Sequence, residues 1–152
     1  MNKYMRKGYM RAKNTLKKDY GGPFGACVVK NGEVVSVGSN LVLKNNDPTA
    51  HAEIVAIRRA CKKLETYDLT GCELYATGYP CPMCLSAVIW ANIKKVYYAT
   101  DLADAKAIGF RDDFIYNYLK EKNTDVLDLE QMDRDVCVKL FDLYKNLEKV
   151  IY

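Results

Sequence analysis

The sequence predicts an α/β domain of three layers, α-β-α, with one mixed central sheet. Three observations support this prediction. Apolar residues at helical spacing alternate along the chain with short apolar runs that are typical of buried strands. The pair Asn31-Gly32 marks a tight hairpin between two of those runs. The predicted order is α-β-β-α-β-α-β-α, and 152 residues suffice for one hydrophobic core, so a single domain over residues 1–152 is expected.

The N-terminal third begins with a helix over about residues 2–18, which Gly21-Gly22-Pro23 ends. Its apolar stripe has helical spacing and consists of Met5, Tyr9, Ala12 and Leu16. Residues 24–29 and 33–38 are the two strands of the predicted hairpin, and a polar loop over residues 44–47 follows them.

The second helix is predicted to begin at Asp47-Pro48, with Asp47 as the N-cap and Pro48 at the first helical position. Its apolar stripe consists of Ile54, Ile57, Cys61 and Leu64. Residues 72–77 and 95–100 are predicted strands, separated by a helix from Pro82 to about Ala91. Short helical pieces are expected over residues 102–120, and a last helix over residues 133–149.

Composition excludes several classes of protein. A hydrophobic content of 49% is too high for a disordered chain, and six cysteines in 152 residues are too few for a disulfide scaffold. The longest apolar run, residues 87–91, is far shorter than the ~18 residues of a membrane span. The N-terminus lacks the apolar core of a signal peptide, so we expect a cytoplasmic protein whose cysteines are reduced.

The net charge of +4 comes from the N-terminus, because residues 1–18 hold seven cations and no acid. A basic helix of this kind could attract nucleic acid or an anionic membrane. A solvated helix face is the favoured interpretation, because phosphate-binding proteins spread their cations over the whole binding surface. Neither a nucleic acid nor a membrane is therefore the expected partner.

Candidate metal ligands come from two segments. His51, the single histidine, lies in Pro48-Thr49-Ala50-His51-Ala52-Glu53, and two cysteines lie in Pro80-Cys81-Pro82-Met83-Cys84. Cysteines three residues apart at a helix start point the same way, and the positive helix end favours their thiolates. One imidazole and two thiolates bind Zn²⁺ and leave the fourth tetrahedral position open, as in catalytic sites.

Glu53 follows His51 by two residues, and in the first helical turn both side chains can line one pocket. A carboxylate there can transfer protons without binding the metal. A Cys-x-x-Cys pair alone also occurs in redox proteins and in structural zinc sites, where Cys72 or Cys61 could be a fourth ligand. The combination of His-Ala-Glu with Pro-Cys-x-x-Cys favours a catalytic zinc. The cysteines outside this motif are expected to pack as small hydrophobic residues; they are Cys27, Cys61, Cys72 and Cys137.

Over most of its length the chain resembles the cytidine and nucleobase deaminase superfamily. Residues 47–54 and 80–84 carry this resemblance. Within the superfamily it is most similar to bacterial guanine deaminases, on residues 21–26, 89–91 and 109–116 and on the terminal Tyr152. The tRNA adenosine deaminases share the Asp-Pro-Thr-Ala-His-Ala-Glu stretch but lack the Gly-Phe-x-Asp segment.

The resemblance implies a cytidine-deaminase-like sandwich in which His51, Cys81 and Cys84 bind zinc and Glu53 is the proton shuttle. It also implies a set of contacts to a purine base. They are binding by Asn40 and Asp112, packing by Phe24, His51 and Trp90, a contact from Ala52, and closure by Tyr152. Tyr152 would come from the partner subunit of a homodimer with a swapped C-terminus.

The same residues have structural interpretations. Asn40 and Asp112 could be caps, and Phe24 and Trp90 could be core aromatics. Tyr152 could only cover the core or a dimer surface, although a terminal aromatic suggests docking, because undocked termini are usually poorly ordered.

The chain departs from the family at two places. Tyr79 stands where guanine and tRNA deaminases usually have Glu, beside the pocket that selects the substrate. The tail from about residue 121 matches poorly, so Glu130, Asp133 and Asp135 are equal candidates for a second acidic shuttle.

Deamination of a free base, with guanine giving xanthine and ammonia, is the predicted activity. The alternatives are a tRNA adenosine deaminase, a deaminase of another base, nucleoside or aminated heterocycle, and a structural zinc module, in which Glu53 would have no role.

Overall fold

The structure, a computed structural model, describes residues 1–147 and 150–151. The chain divides into two compact units, residues 1–115 and 116–152, which are described separately. In chain order the elements are α1 Lys3–Leu16, β1 Gly25–Lys30, β2 Glu33–Ser39, α2 Val42–Asn45, α3 Ala52–Leu64, β3 Cys72–Gly78, α4 Pro82–Trp90, β4 Lys95–Thr100, α5 Leu102–Ala107, α6 Asp113–Glu121 and α7 Arg134–Asn146.

The first unit is built on a mixed sheet of four strands in the order β2-β1-β3-β4. β1 is antiparallel to β2 and to β3, whereas β3 and β4 are parallel and are connected through α4. Asn31 and Gly32 both have positive φ, 51° and 79°, as the predicted two-residue turn between β1 and β2 requires.

Alternate residues of β1 point to opposite faces of the sheet and pack against different helices. Ala26 and Val28 belong to a cluster with residues of α3 and α4. Cys27 and Val29 belong to a cluster on the other face, with side chains of α1 against it. Helices therefore cover both faces, and the predicted three-layer α/β fold with a mixed sheet is confirmed.

The buried side of α1 differs from the predicted stripe. Gly8, Ala12 and Thr15 are buried, whereas Tyr9 and Leu16 are about half exposed. The backbone of Gly8 lies directly against Gly25 of β1, which leaves no space for a side chain between helix and strand. Small residues therefore occupy the contact, and Thr15 donates a hydrogen bond of 2.6 Å to Ser39 across it.

The predicted start of the second long helix was wrong. α3 begins at Ala52 with His51 as its N-cap. Asp47 instead accepts hydrogen bonds from the backbone N–H and the hydroxyl of Thr49, at 2.8 and 2.7 Å. An Asx turn of this kind competes with helix initiation. The short helix α2 precedes it, partly within the predicted polar loop.

In the second unit, α7 covers most of the predicted last helix, whose residues 148 and 149 lie outside the described part. α7 buries none of its residues, so the prediction that Cys137 packs as a small hydrophobic residue was wrong. Among the other cysteines with that prediction, Cys27 and Cys72 are buried and Cys61 is partly buried. In the described part of the chain, no helix is both long and apolar enough to cross a bilayer.

Candidate active site and metal centre

The candidate site forms where the N-termini of α3 and α4 meet. His51 is the N-cap of α3 and Cys81 is the N-cap of α4, while Cys84 lies in the first turn of α4. Neither cap side chain bonds the backbone of its own helix, so both are available to a ligand. Helix N-termini carry partial positive charge, which stabilises thiolates at this point.

The three side chains have the spacing of a zinc ligand set. Nδ1 of His51 lies 3.6 Å from Sγ of Cys81 and 3.7 Å from Sγ of Cys84. Usual Zn–N and Zn–S bond lengths in a tetrahedron place nitrogen and sulfur about 3.6 Å apart. All three donor atoms lie within 4.8 Å of one another, and they are the one such cluster among the described residues. The chemistry and the spacing of these residues fit Zn²⁺.

The electrostatics of the sulfur pair also suit a cation. The pKa of Cys81 is lowered, chiefly by a hydrogen bond from the Cys84 thiol and further by the one from His51. The pKa of Cys84 is raised, chiefly because its thiol donates a hydrogen bond to Cys81. The hydrogen bond to Cys81 raises the pKa of His51. The lowered pKa of Cys81 favours its thiolate, the form that binds a metal ion.

Glu53 lies in the first turn of α3 and is only 7% exposed, although it lines a cavity next to His51 and Cys81. Burial raises the pKa of its carboxyl group. A carboxyl group with a raised pKa both accepts and releases protons more readily near neutral pH. The sequence prediction that His51 and Glu53 share one pocket agrees with this placement, although His51 caps the helix instead of lying inside it.

The cavity has a volume of about 300 Å³. Among the residues predicted to contact a base, it is lined by Phe24, Asn40, His51 and Asp112. This volume is at the lower end of the range for small-molecule sites. The arrangement therefore has room for one small planar ring system beside the metal ligands.

Asn40 and Asp112 bring complementary hydrogen-bonding groups to the cavity. Asn40 is buried, and its Oδ1 accepts a hydrogen bond of 3.2 Å from the backbone N–H of Val42. This bond identifies Oδ1, and the Nδ2 group is the hydrogen-bond donor that the amide can offer to a ligand. Burial raises the pKa of the partly buried Asp112 carboxyl, and the charge of Cys81 adds to the effect.

Two predicted contact residues, Ala52 and Trp90, do not line the cavity. Ala52 is completely buried in the core cluster that α3 shares with the sheet. Trp90 ends α4, is 71% exposed and does not line the cavity. Tyr152 lies outside the described residues. Their contacts with a base stay predictions.

The cavity is also lined by Phe110 and Ala105, which were not assigned to the site from the sequence. Tyr79, the residue that departs from the family and was expected beside the pocket, lines it too. A signal for Phe110 was present in the sequence, because Gly109 just before it is typical of a helix end. The candidates for a second shuttle, Glu130, Asp133 and Asp135, are exposed members of the second unit.

A structural zinc site would need a fourth protein ligand. Neither Cys72 nor Cys61 joins the cluster of His51, Cys81 and Cys84 in the described part of the chain. Three protein ligands beside a cavity are the arrangement of a catalytic zinc.

Residues 1–100 match the family described as the cytidine and deoxycytidylate deaminase zinc-binding region, and the chain belongs to this family. A guanine deaminase of Bacillus subtilis (strain 168) is 55% identical over 96 residues, which are 63% of this chain and 62% of that protein. The match thus spans less than two thirds of this relative's length.

Two further comparisons cover more of the chain. A solved structure of guanine deaminase from Bacillus subtilis superposes with a TM-score of 0.93 at 39% identity, covering 100% of this chain and 99% of that one. A tRNA-specific adenosine deaminase of Buchnera aphidicola is 34% identical over 125 residues, or 82% of this chain and 81% of that protein.

Proposed function

We propose that the protein is a zinc-dependent hydrolase that deaminates a free nucleobase, converting guanine and water to xanthine and ammonia. One observation carries the proposal: two helix N-termini bring His51, Cys81 and Cys84 together, with the buried Glu53 beside them at a cavity of about 300 Å³. The guanine deaminases among the comparisons support the choice of substrate.

His51, Cys81 and Cys84 would hold the zinc ion. When bound, zinc makes water a competent nucleophile at neutral pH. The positive N-terminal ends of α3 and α4 favour the thiolate forms of Cys81 and Cys84, which zinc requires.

Glu53 would move two protons during the reaction. It takes one from the attacking water as the C–O bond forms at C2 of guanine, and passes it to the adjacent ring nitrogen. It takes the second from the new hydroxyl group and gives it to the amino nitrogen, which leaves as ammonia as the carbonyl of xanthine forms. Its burial and raised pKa suit both directions of transfer.

Asn40 and Asp112 would orient the base. The Asn40 amide donates to the carbonyl oxygen of guanine, and the Asp112 carboxylate accepts from a ring N–H. Phe24 supplies a ring face or edge for packing. A free base offers one more ring N–H than its nucleoside, so these contacts and the small cavity favour the base.

Deamination of adenosine in tRNA is the second candidate, because relatives of that kind match this chain and α1 is basic. The two candidates differ in salt dependence, since binding to a phosphate backbone weakens steeply as salt rises. Deamination of a free neutral base should change little over the same range.

The deciding experiment is ammonia release from a panel of free bases, nucleosides and a tRNA anticodon stem-loop, at two salt concentrations. We expect guanine to have the highest kcat/KM and no steep dependence on salt. Turnover of the stem-loop alone, lost at high salt, would replace the proposal by the tRNA candidate. Turnover of another base would keep the deaminase and change its substrate.

We further propose that the chain acts as a homodimer that exchanges its C-terminal segment, with Tyr152 closing the partner's site. The apolar stripe of α7 supports this, because its members are all more than half exposed in the single chain: Val136, Leu140, Phe141 and Leu143. Mixing a chain that lacks Tyr152 with a Glu53→Gln chain tests the exchange. In an exchanged heterodimer one composite site is intact and activity returns, whereas inactivity in a confirmed heterodimer would contradict it.

The proposed reaction belongs to purine metabolism, and we propose the cytoplasm as its location. A reducing compartment suits a site built on two thiolates. The six cysteines all lie in the described part of the chain, and none of them forms a disulfide.

A further inference from the structure

An aromatic wall stands at one side of the cavity. Phe24 and Phe110 both line it, with ring centroids 5.0 Å apart and ring planes at 90°. Edge-to-face pairs of this kind are favoured by the ring quadrupoles and hold each ring in a defined orientation. Phe110 is 43% exposed, so it forms the outer part of the wall, at the mouth of the cavity.

The end of α5 determines where Phe110 lies. Gly109 has φ of 94° and donates its N–H to the carbonyl of Lys106 at 3.0 Å, while the N–H of Phe110 donates to the carbonyl of Ala105 at 3.1 Å. These two bonds are those of a Schellman motif, in which the residue after the glycine packs on the last helical turn. Phe110 and Ala105 accordingly line the same cavity.

Gly22 provides the space for both rings. A Cβ atom at this position would lie 2.9 Å from Cζ of Phe110 and 3.2 Å from Cδ2 of Phe24. Both distances are shorter than ordinary van der Waals contact, so a side chain at residue 22 would move the rings. The rings of Phe24 and Phe110 therefore fit in this position only because residue 22 has no side chain.

We propose that Phe110 is a specificity-determining residue that sets the width of the cavity mouth and so admits a free base but excludes a ring-substituted one. A ring substituent that does not fit in the small cavity has to extend past its solvent-exposed lining residues, and Phe110 is one of them. This inference rests on the proposed deamination of a free base.

Steady-state kinetics with guanine and 9-methylguanine test the inference. Phe110→Ala should raise KM for guanine about 2- to 12-fold, the value of one aromatic pair, with kcat little changed. The ratio of kcat/KM for 9-methylguanine to that for guanine should rise about 10-fold or more, since a steric barrier is removed. Phe114→Ala is the matched control, because Phe114 is 46% exposed on α6 and does not line the cavity.

A second test enlarges the side chain at residue 22 and shortens the one at residue 110. Gly22→Ala should lower kcat/KM for guanine, and Phe110→Leu in the same chain should restore part of it, because the shorter side chain leaves room for the added methyl group. Zinc content and Tm are measured for each variant. The inference is overturned if Phe110→Ala leaves the substrate ratio within two-fold of the control, or lowers Tm without changing the ratio. It is also overturned if Phe110→Leu gives no recovery.

Failure of the proposed function is separate from failure of this inference. If the zinc-loaded parent turns over neither compound, the guanine proposal fails, and calorimetric binding of the same two compounds replaces kinetics. A higher relative affinity of Phe110→Ala for 9-methylguanine then supports the role of Phe110. An unchanged ratio of the affinities for 9-methylguanine and guanine, or no binding by any variant, contradicts that role.

Discussion

Replacing Glu53 by Gln should separate proton transfer from metal binding in this site. Glutamine has the same shape, so the substitution leaves the packing around the first turn of α3 intact. Glu53 is not in the cluster formed by His51, Cys81 and Cys84, so zinc content should remain that of the parent. Turnover should nearly disappear, because an amide cannot accept a proton from water and return it.

The expected loss follows from the number of protons that Glu53 handles. Positioned acid–base groups contribute about 10²–10⁴-fold to a rate, or about 3–5 kcal/mol. Since Glu53 would transfer two protons in sequence, we expect the upper end of this range or more. Stability should not fall, because the 7%-exposed carboxyl pays a desolvation cost that raises its pKa and that a neutral amide avoids.

The assay is guanine turnover by ammonia release, with zinc analysis and thermal unfolding of the same preparations. Glu33→Gln is the matched control, because Glu33 is an exposed glutamate at the start of β2 and its loss changes the net charge equally. A Glu53→Gln chain that turns over guanine within a few-fold of the parent would remove Glu53 from the mechanism. Loss of zinc from that variant would make Glu53 a metal ligand instead.

Three more predictions follow from the site and the core. Protein purified without chelator should contain one zinc per chain, and chelation should abolish turnover and lower Tm; full activity with only a trace of zinc would contradict this. Deleting Tyr152 should lower kcat/KM about 10-fold, or about 1.4 kcal/mol, at unchanged Tm and zinc content, whereas a lower Tm at unchanged kcat/KM would make it structural. Burial raises the pKa of Cys27 from 9.0 to about 11, so the unfolded state releases this proton first and the free energy of unfolding should fall between those pH values. In chemical denaturation the parent should lose up to about 3 kcal/mol more than Cys27→Ala over this pH range, and parallel pH profiles would refute the assignment.

Most of the secondary structure could be predicted from the sequence because its signals are local. The turn at Asn31-Gly32 needs two residues that tolerate positive φ, and Pro82 starts a helix because it lacks an N–H that the first turn does not use. The errors occurred where a competing local bond or a tertiary contact decided the outcome. Asp47 bonds Thr49 and does not cap a helix, and Gly8 faces the sheet because backbone contact there excludes larger residues.

The chemistry of the site follows from residue types alone, since His51, Glu53, Cys81 and Cys84 are those that a zinc-dependent deaminase requires. Tertiary structure sets the distances between them, because His51 and Cys81 are 30 residues apart and meet through the packing of α3 and α4. It also decided which aromatic residues form the cavity. Phe110 lines it while Trp90 lies outside, because a ring is placed by the turn or helix that carries it and by the space its neighbours leave.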